Sequence, residues 1–223
     1  MTAVQRSNQL KLTAWGYELW RRRSTGWLTG GRWSLASELE ALRCWSGAGP
    51  GQYWLDLGCS TALYARTLAS QGARVTAVDL STAMLAAAAR RCRDLSGIDF
   101  LCADIEGTGL QRFLAGQGAD GIAMGATLNE CHQPELALSR AAAALRPGGK
   151  LFLMYLKPAG GAGGWLAQLP FRAAGVRFCA PAAVGTQLAR CGLTRLQQRS
   201  ERNWTLELYR KQERSVANPK MST

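Results

Sequence analysis

The chain contains one histidine, His132, and none of its seven cysteines stands in a C-x-x-C pair. An odd, scattered set (Cys44, Cys59, Cys92, Cys102, Cys131, Cys179 and Cys191) excludes a zinc-finger or disulfide framework as an expectation. These residues read as small apolar side chains in a reducing compartment. No apolar run reaches the ~18 residues that a membrane-spanning helix needs. The N-terminus lacks a basic, then apolar, then cleavable signal pattern. A cytoplasmic protein is expected, with a peripheral membrane role left open. Acidic residues are also few: 15 Asp and Glu stand against 27 Lys and Arg, a formal charge of +12. That balance suits nucleic acid, a membrane surface or an acidic small molecule, and equally an ordinary basic protein. With 47% hydrophobic residues in 223 positions, disorder is excluded and one domain with a sizeable core is expected.

Residues 1–50 read as a helical, basic lead-in. They hold Trp15, Trp20, Trp27, Trp33 and Trp45, five of the eight tryptophans, and the run Arg21-Arg22-Arg23. "SLASELEALRCW" has helical spacing, with Leu35, Leu39 and Leu42 on one side. "SGAGPG" ends it as a linker. A repeating pattern follows. "YWLDL", "RVTAVDL", "IDFLCAD", "GADGIAMGA" and "KLFLMYL" read as strands. "TALYARTLASQG", "STAMLAAAARRCRDL" and "QPELALSRAAAALRPGG" read as helices, with Ser81 as an N-cap, Pro134 in a first turn and Gly148 near an end. Strands alternating with helices predict a doubly wound α/β domain with a parallel sheet. Beyond Leu156, residues 164–192 predict one or two helices around Pro170 and Pro181. "LTRLQQRSERNWTLELYRK" predicts an antiparallel hairpin turning near Arg202-Asn203. The predicted organisation is a cap over 1–50, a domain over 51–210 with 157–192 as an insertion on the substrate side, and a frayed tail over 211–223.

The first strand runs into Gly58-Cys59-Ser60-Thr61-Ala62, a turn that fits two chemistries. One is a strained elbow exposing a nucleophilic serine, with Ser60, Asp104 and His132 in hydrolase order. Against it, the turn follows the first strand, and no HGGG-like loop precedes it. The other is a cofactor loop at a helix N-terminus. Asp79 ends the second strand about 20 positions past the loop, where a carboxylate accepts from both ribose hydroxyls. Asp104 ends the third strand, where a carboxylate accepts from an adenine amino group. Asp56, Asp79 and Asp104 thus fall at strand carboxyl ends, where open α/β sheets bind ligands.

Five segments carry a family resemblance: "LDLGCSTALYARTLA", "VTAVDLSTAMLAAA", "FLCADIEGTGL", "GADGIAMGATLNECHQPELALSRAAAALRPGGKLFLMYL" and the closing strand pair. Over about Tyr53 to Tyr209 the chain resembles class I S-adenosylmethionine-dependent methyltransferases. It looks most like the ubiquinone/menaquinone C-methyltransferase-like, type 11 branch. The lead-in and "LNECHQP" are similar to a cyanobacterial and plastid subgroup. The resemblance implies a Rossmann-like seven-stranded sheet, mostly parallel with an antiparallel C-terminal hairpin, and S-adenosyl-L-methionine as cofactor. It places Asp56, Gly58, Cys59, Ser60 and Ala62 in the glycine loop and Asp79, Leu80 and Met84 at the ribose. It places Asp104 and Ile105 beside the adenine, and Met124, Gly125 and Ala126 near the sulfonium. Asn129 stands where relatives often carry a histidine facing the substrate. The loop departs from G-x-G-x-G by reading G-x-S-x-A, which costs ~1 kcal/mol of strain if Ser60 takes a positive φ.

Methyl transfer needs alignment, exclusion of water and at most a modest base. Glu130, His132 and Tyr64 are the candidates, with Asn129 beside them. Bland alternatives stay open: His132 as a surface residue, and Asn129 as a helix cap near Pro134. Tyr17, Trp20, Trp27, Trp165 and Phe171 form a candidate apolar lid over a small acceptor, prenylquinone-like or another apolar or aromatic metabolite. Arg21, Arg22 and Arg23 beside tryptophans fit a peripheral membrane contact. The rival readings are RNA methylation, a non-catalytic adenosine-binding relative with a degraded loop, and a dehydrogenase. Against RNA, the basic residues are dispersed, and "MGATLNEC" lacks the N/D-P-P-[YFW] signature.

Overall fold

The computed structural model describes residue 31, residues 33–108 and residues 118–213. Tyr17, Trp20, Arg21, Arg22, Arg23 and Trp27 lie outside the described residues. The described elements run α1 (Leu35–Ser46), β1 (Tyr53–Leu57), α2 (Leu63–Ala69), β2 (Arg74–Asp79), α3 (Thr82–Arg91), β3 (Ile98–Cys102) and β4 (Ala119–Gly125). A 3-10 turn (Thr127–Asn129) follows. Then come α4 (Pro134–Ala144), β5 (Leu145–Leu156), α5 (Gly161–Ala173), α6 (Pro181–Arg190), β6 (Leu193–Glu201) and β7 (Trp204–Lys211).

The seven strands form one sheet in the order β3-β2-β1-β4-β5-β7-β6. Strands β1 to β5 pair in parallel, and β7 pairs antiparallel with both β5 and β6. This is the predicted doubly wound architecture. Its order reverses between β1 and β4, the switch point at which such sheets open a crevice at their carboxyl edge. The hairpin turns at Arg202-Asn203, as read from the sequence.

Period-two alternation fills both faces. Trp54, Phe152, Met154, Trp204, Leu206 and Leu208 pack on one side with Leu42 of α1, Leu68 of α2 and Ala88 of α3. Leu55, Leu57, Leu151, Leu153, Tyr155 and Tyr209 pack on the other with Leu138 of α4 and Val184 and Leu188 of α6. Each fully buried Leu or Phe contributes about 1.5–3 kcal/mol. Lysines from the sheet cap two helices. Lys150 Nζ donates to Ser46 O at 2.8 Å, and Lys211 Nζ donates to Ala142 O and Leu145 O, each at 2.7 Å. Cations there satisfy orphan carbonyls at the negative helix end.

One local reading needs correction. The helix expected to run on to Gly148 stops at Ala144, and β5 begins at Leu145. Pro147 disfavours the α conformation at Arg146, so the helix ends before it. The helices expected around Pro170 and Pro181 are α5, with Pro170 inside it, and α6, which Pro181 begins. Ser81 is the N-cap expected of it, its Oγ accepting from Met84 N at 3.2 Å. Among the described residues, no helix is long and apolar enough to cross a membrane.

Candidate active site

Four turns at the carboxyl edge of the sheet build the site. The first follows β1. Gly58 has φ +71°, and a Cβ there would sit 2.2 Å from Thr127 Oγ1, so only glycine lets β1 and the turn after β4 meet. Thr127 Oγ1 in turn donates to Leu57 O at 2.9 Å. Ser60 (φ 50°) and Ala62 (φ 63°) are both left-handed, so the loop keeps a glycine-like path without glycines. This is the strain foreseen for Ser60, about 1 kcal/mol for each such residue.

Carboxylates hold that path. Asp56 is buried at 2% exposure, and its Oδ2 accepts from Ala65 N at 2.9 Å in the first turn of α2. Asp79 Oδ2 accepts from Ser60 N at 2.8 Å, and Oδ1 accepts from Ser81 N at 2.8 Å. One carboxylate at the end of β2 therefore fixes both the β1 turn and the start of α3. The carboxylate keeps acceptor capacity for a ribose hydroxyl. Asp104, after β3, folds its own turn by accepting from Glu106 N at 2.8 Å. Glu106 accepts from His132 N at 3.0 Å and Gln133 N at 2.5 Å, tying that turn to the start of α4.

These turns enclose a cleft lined by Gly58, Ser60, Asp79, Leu80, Met84, Asp104, Ile105, Glu106, Gly125, Thr127 and Glu130, among others. A smaller cleft continues past Gly58, Ser60 and Gly125 to Leu35, Glu38, Asp56, Cys59 and Tyr64. Among the described residues, every charged side chain lining either cleft is acidic, in a chain of net charge +12. Burial raises the Asp56 carboxyl to about 7, opposed by its hydrogen bond from Ala65 and reinforced by Asp79. Burial, then the charge of Asp79, pushes Glu130 up to about 7 as well. Burial also raises Asp79, opposed by its backbone donors.

Of the expected cofactor residues, Gly58, Ser60, Asp79, Leu80, Met84, Asp104, Ile105 and Gly125 share the main cleft, with Asp56 and Cys59 in the smaller one. Ala62 and Met124 line neither. Ala62 is the left-handed N-cap of α2. The Met124 side chain packs on the α4 face of the sheet, because alternation along β4 turns it away from the face Gly125 presents.

Among the expected catalytic residues, only Glu130 lines the main cleft. Asn129 is 2% exposed and fully engaged. Its Nδ2 donates to Leu156 O at 2.8 Å and Arg177 O at 2.5 Å, and its Oδ1 accepts from Leu156 N at 2.8 Å. It is a staple between the 3-10 turn, β5 and the segment before α6, and caps no helix. His132 is exposed, and its backbone, not its ring, is bonded to Glu106. Tyr64 sits in the smaller cleft, its hydroxyl donating to Glu38 Oε1 at 2.5 Å. A Cβ at Gly125 would lie 2.9 Å from the Tyr64 ring. The elbow reading fails geometrically: Ser60 Oγ donates to Met84 Sδ at 3.5 Å, and His132 lines neither cleft.

Sequence reasoning missed Glu38, Glu106 and Thr127. Glu38 is fully buried on α1 between Leu35 and Leu42. Its place on the apolar side of the helix was the signal that would have found it.

Residues 55–153 match the sequence family described as a methyltransferase domain. A ubiquinone biosynthesis O-methyltransferase of Coxiella burnetii is 34% identical over 105 residues, covering 46% of this chain and 42% of that protein. A malonyl-[acyl-carrier protein] O-methyltransferase of Alcanivorax borkumensis is 36% identical over 106 residues, covering 47% and 35% respectively. The chain thus spans less than half the length of these relatives. The N-methyltransferase NodS of Bradyrhizobium japonicum, solved with S-adenosylhomocysteine, shares the fold at a TM-score of 0.63 and 21% identity, covering 79% of this chain and 85% of that one. The carboxylate-ended β2 and β3, the turn after β1 and the antiparallel closing strands agree with these likenesses: residues 55–153 resemble a methyltransferase domain, on a fold shared with NodS.

Proposed function

We propose that the protein transfers a methyl group from S-adenosylmethionine to a small apolar or aromatic acceptor. The observation that carries this reading is the cleft's charge. Asp79 and Asp104 stand at the ends of neighbouring strands, Glu130 faces them, and among the described residues no Lys or Arg lines the cleft. Such a surface suits a ribose diol, an aminopurine and a sulfonium cation. It repels the pyrophosphate of a dinucleotide, which disfavours a dehydrogenase.

The cofactor supplies an electrophilic methyl carried on a positive sulfur. Asp79 accepts from the ribose hydroxyls, with Leu80 and Met84 flanking the sugar and Asp104 and Ile105 flanking the base. Glu130 accepts the proton of the acceptor's hydroxyl as its oxygen or ring carbon attacks. A carboxyl near 7 is half-ionised at neutral pH, where a general base works best. Tyr64 and Glu38 close the end of the smaller cleft and exclude water from it.

A prenylquinone-like acceptor is supported by the Coxiella burnetii relative's name and by the apolar residues around Leu156, Phe171 and Phe178. We retain residues 1–50 as a cap, 157–192 as an acceptor-side insertion and 211–223 as a tail. We also retain Arg21, Arg22 and Arg23 as a peripheral membrane contact of a cytoplasmic protein. The left-handed Ser60 and Ala62 favour one rival, a relative that binds adenosine without turnover.

Calorimetric titration with S-adenosylmethionine and S-adenosylhomocysteine, with Asp79→Ala as control, tests the cofactor site. Micromolar binding lost in the variant is expected, followed by transfer of labelled methyl to phenolic or quinol acceptors. A folded protein that binds neither ligand overturns the reading. Binding without transfer to any acceptor favours the non-catalytic relative.

A further inference from the structure

We propose that the outward face of α5 docks on an anionic lipid surface. The helix is amphipathic in the reverse sense for a solvent-facing element. Its inner side holds Gln168, 2% exposed and donating to Lys157 O at 3.1 Å, together with the half-buried Phe171. Its outer side presents Trp165 at 52%, Leu166 at 57% and Leu169 at 38% exposure. At 100° per residue these three lie within one ~100° arc, the width of an interfacial apolar stripe. Tryptophan suits that depth, with an apolar body and a polar N–H.

Charge identifies the occupant. Every charged residue between Glu135 and Glu201 is Arg or Lys. Arg172 on α5 lies over the Phe178 ring at 4.9 Å, and Arg177 and Arg202 are exposed on the segments around it. A second copy of the chain docked symmetrically would bring these guanidiniums against their equals. An anionic bilayer takes the apolar stripe and the surrounding cations together.

A groove also lies beside the face. It runs under α5, walled by Leu156, Gly160, Gly164, Phe171 and Phe178, with Arg202 at its rim. Leu156 ends β5, and its N–H and C=O are both held by Asn129, the neighbour of Glu130. An acceptor with an apolar tail would pass from the bilayer along this groove. That use of the groove rests on the acceptor class proposed above, whereas the docking face does not.

The test is co-sedimentation of the full chain with phosphatidylcholine vesicles, with and without roughly one-third phosphatidylglycerol. The triple variant Trp165→Ser, Leu166→Ser, Leu169→Ser is compared with Arg21→Ser, Arg22→Ser, Arg23→Ser. The expected result is salt-sensitive binding to the anionic vesicles that falls about tenfold or more in the α5 variant. Both variants should keep the wild-type melting temperature and S-adenosylhomocysteine affinity, since the α5 residues are exposed and lie outside both clefts. The proposal is overturned if the wild type ignores anionic vesicles, or if the α5 variant binds them as well as the wild type. A wild-type dimer that the α5 variant splits also overturns it, because a second copy then covers the face. Loss of S-adenosylhomocysteine binding with vesicle binding intact would strike the methyltransferase reading and leave the docking face standing.

Discussion

Ser60 donates its main-chain N–H to Asp79 Oδ2 at 2.8 Å while holding φ at 50°. The carboxylate that should receive a ribose diol is thus also the brace for a strained turn. Ligand affinity and loop conformation are coupled through one side chain.

Ser60→Gly separates the two. Glycine removes about 1 kcal/mol of left-handed strain but costs about 0.5–1 kcal/mol in extra unfolded-state freedom. The melting temperature should therefore barely move. Ser60 lines both clefts at their junction, so loss of its Cβ and hydroxyl widens the passage between them. S-adenosylhomocysteine should bind several-fold more tightly by calorimetry. Weaker binding would mean that the hydroxyl itself is a ligand to the methionine part.

Asp56 gives the fold a pH signature. Its folded pKa, about 7, lies above the ordinary unfolded value of about 3.9. The folded chain therefore holds a proton that the unfolded chain releases. That stabilisation is complete below about pH 4 and is lost as pH rises through about 7. Asp56→Asn keeps an acceptor for Ala65 N and has nothing to ionise. Relative to wild type, it should gain up to about 4 kcal/mol in urea unfolding at pH 8 and almost nothing at pH 4. An equal difference at both pH values would show that Asp56 is not buried as a neutral acid.

Glu130 is tested by rate rather than stability. Among the described residues, the acidic groups that share its cleft are Asp79, Asp104 and Glu106, and no cation lines it. Wild-type single-turnover methyl transfer should rise with pH through about 7 and then level. Glu130→Gln should be slower by about a hundredfold and pH-independent over that range. S-adenosylhomocysteine affinity should change little, since the proposed cofactor contacts lie on other residues. A variant that keeps the wild-type rate would assign proton removal to another group.

How far the sequence foretold this site depended on which kind of signal each residue carried. Asp56, Asp79 and Asp104 were legible because strand length and the following turn place them at the carboxyl edge. Alternation in β4 already implied that Met124 and Gly125 face opposite ways, although the family resemblance had grouped them. Glu38 was overlooked because a charged residue within a helical pattern reads as solvated, although its spacing from Leu35 and Leu42 puts it on the apolar side. Its partner, the Tyr64 hydroxyl, lies across the fold. Asn129 was misread for another reason. Its donors and acceptors lie at Leu156 and Arg177, distant in sequence, and no local pattern announces them.

Asn129→Ala should accordingly behave as a stability variant. Removal of the amide leaves Leu156 N–H and Arg177 C=O short of a partner in a part-buried setting, while Leu156 C=O keeps its bond from Cys179 N at 3.0 Å. Each unmet group costs about 1–3 kcal/mol, partly relieved by water entering the gap. A loss of about 2–4 kcal/mol in urea unfolding is expected. Asn129→Asp keeps the acceptor for Leu156 N but presents a carboxylate to two carbonyls, so it should be no better. Arg177 N also donates to Asn129 O at 2.7 Å, a main-chain bond that survives either substitution and keeps the segment nearby. For variant protein that remains folded, S-adenosylhomocysteine affinity should stay close to wild type, because the side chain lines neither cleft. The opposite pattern, unchanged stability with methyl transfer abolished, would return Asn129 to the acceptor site.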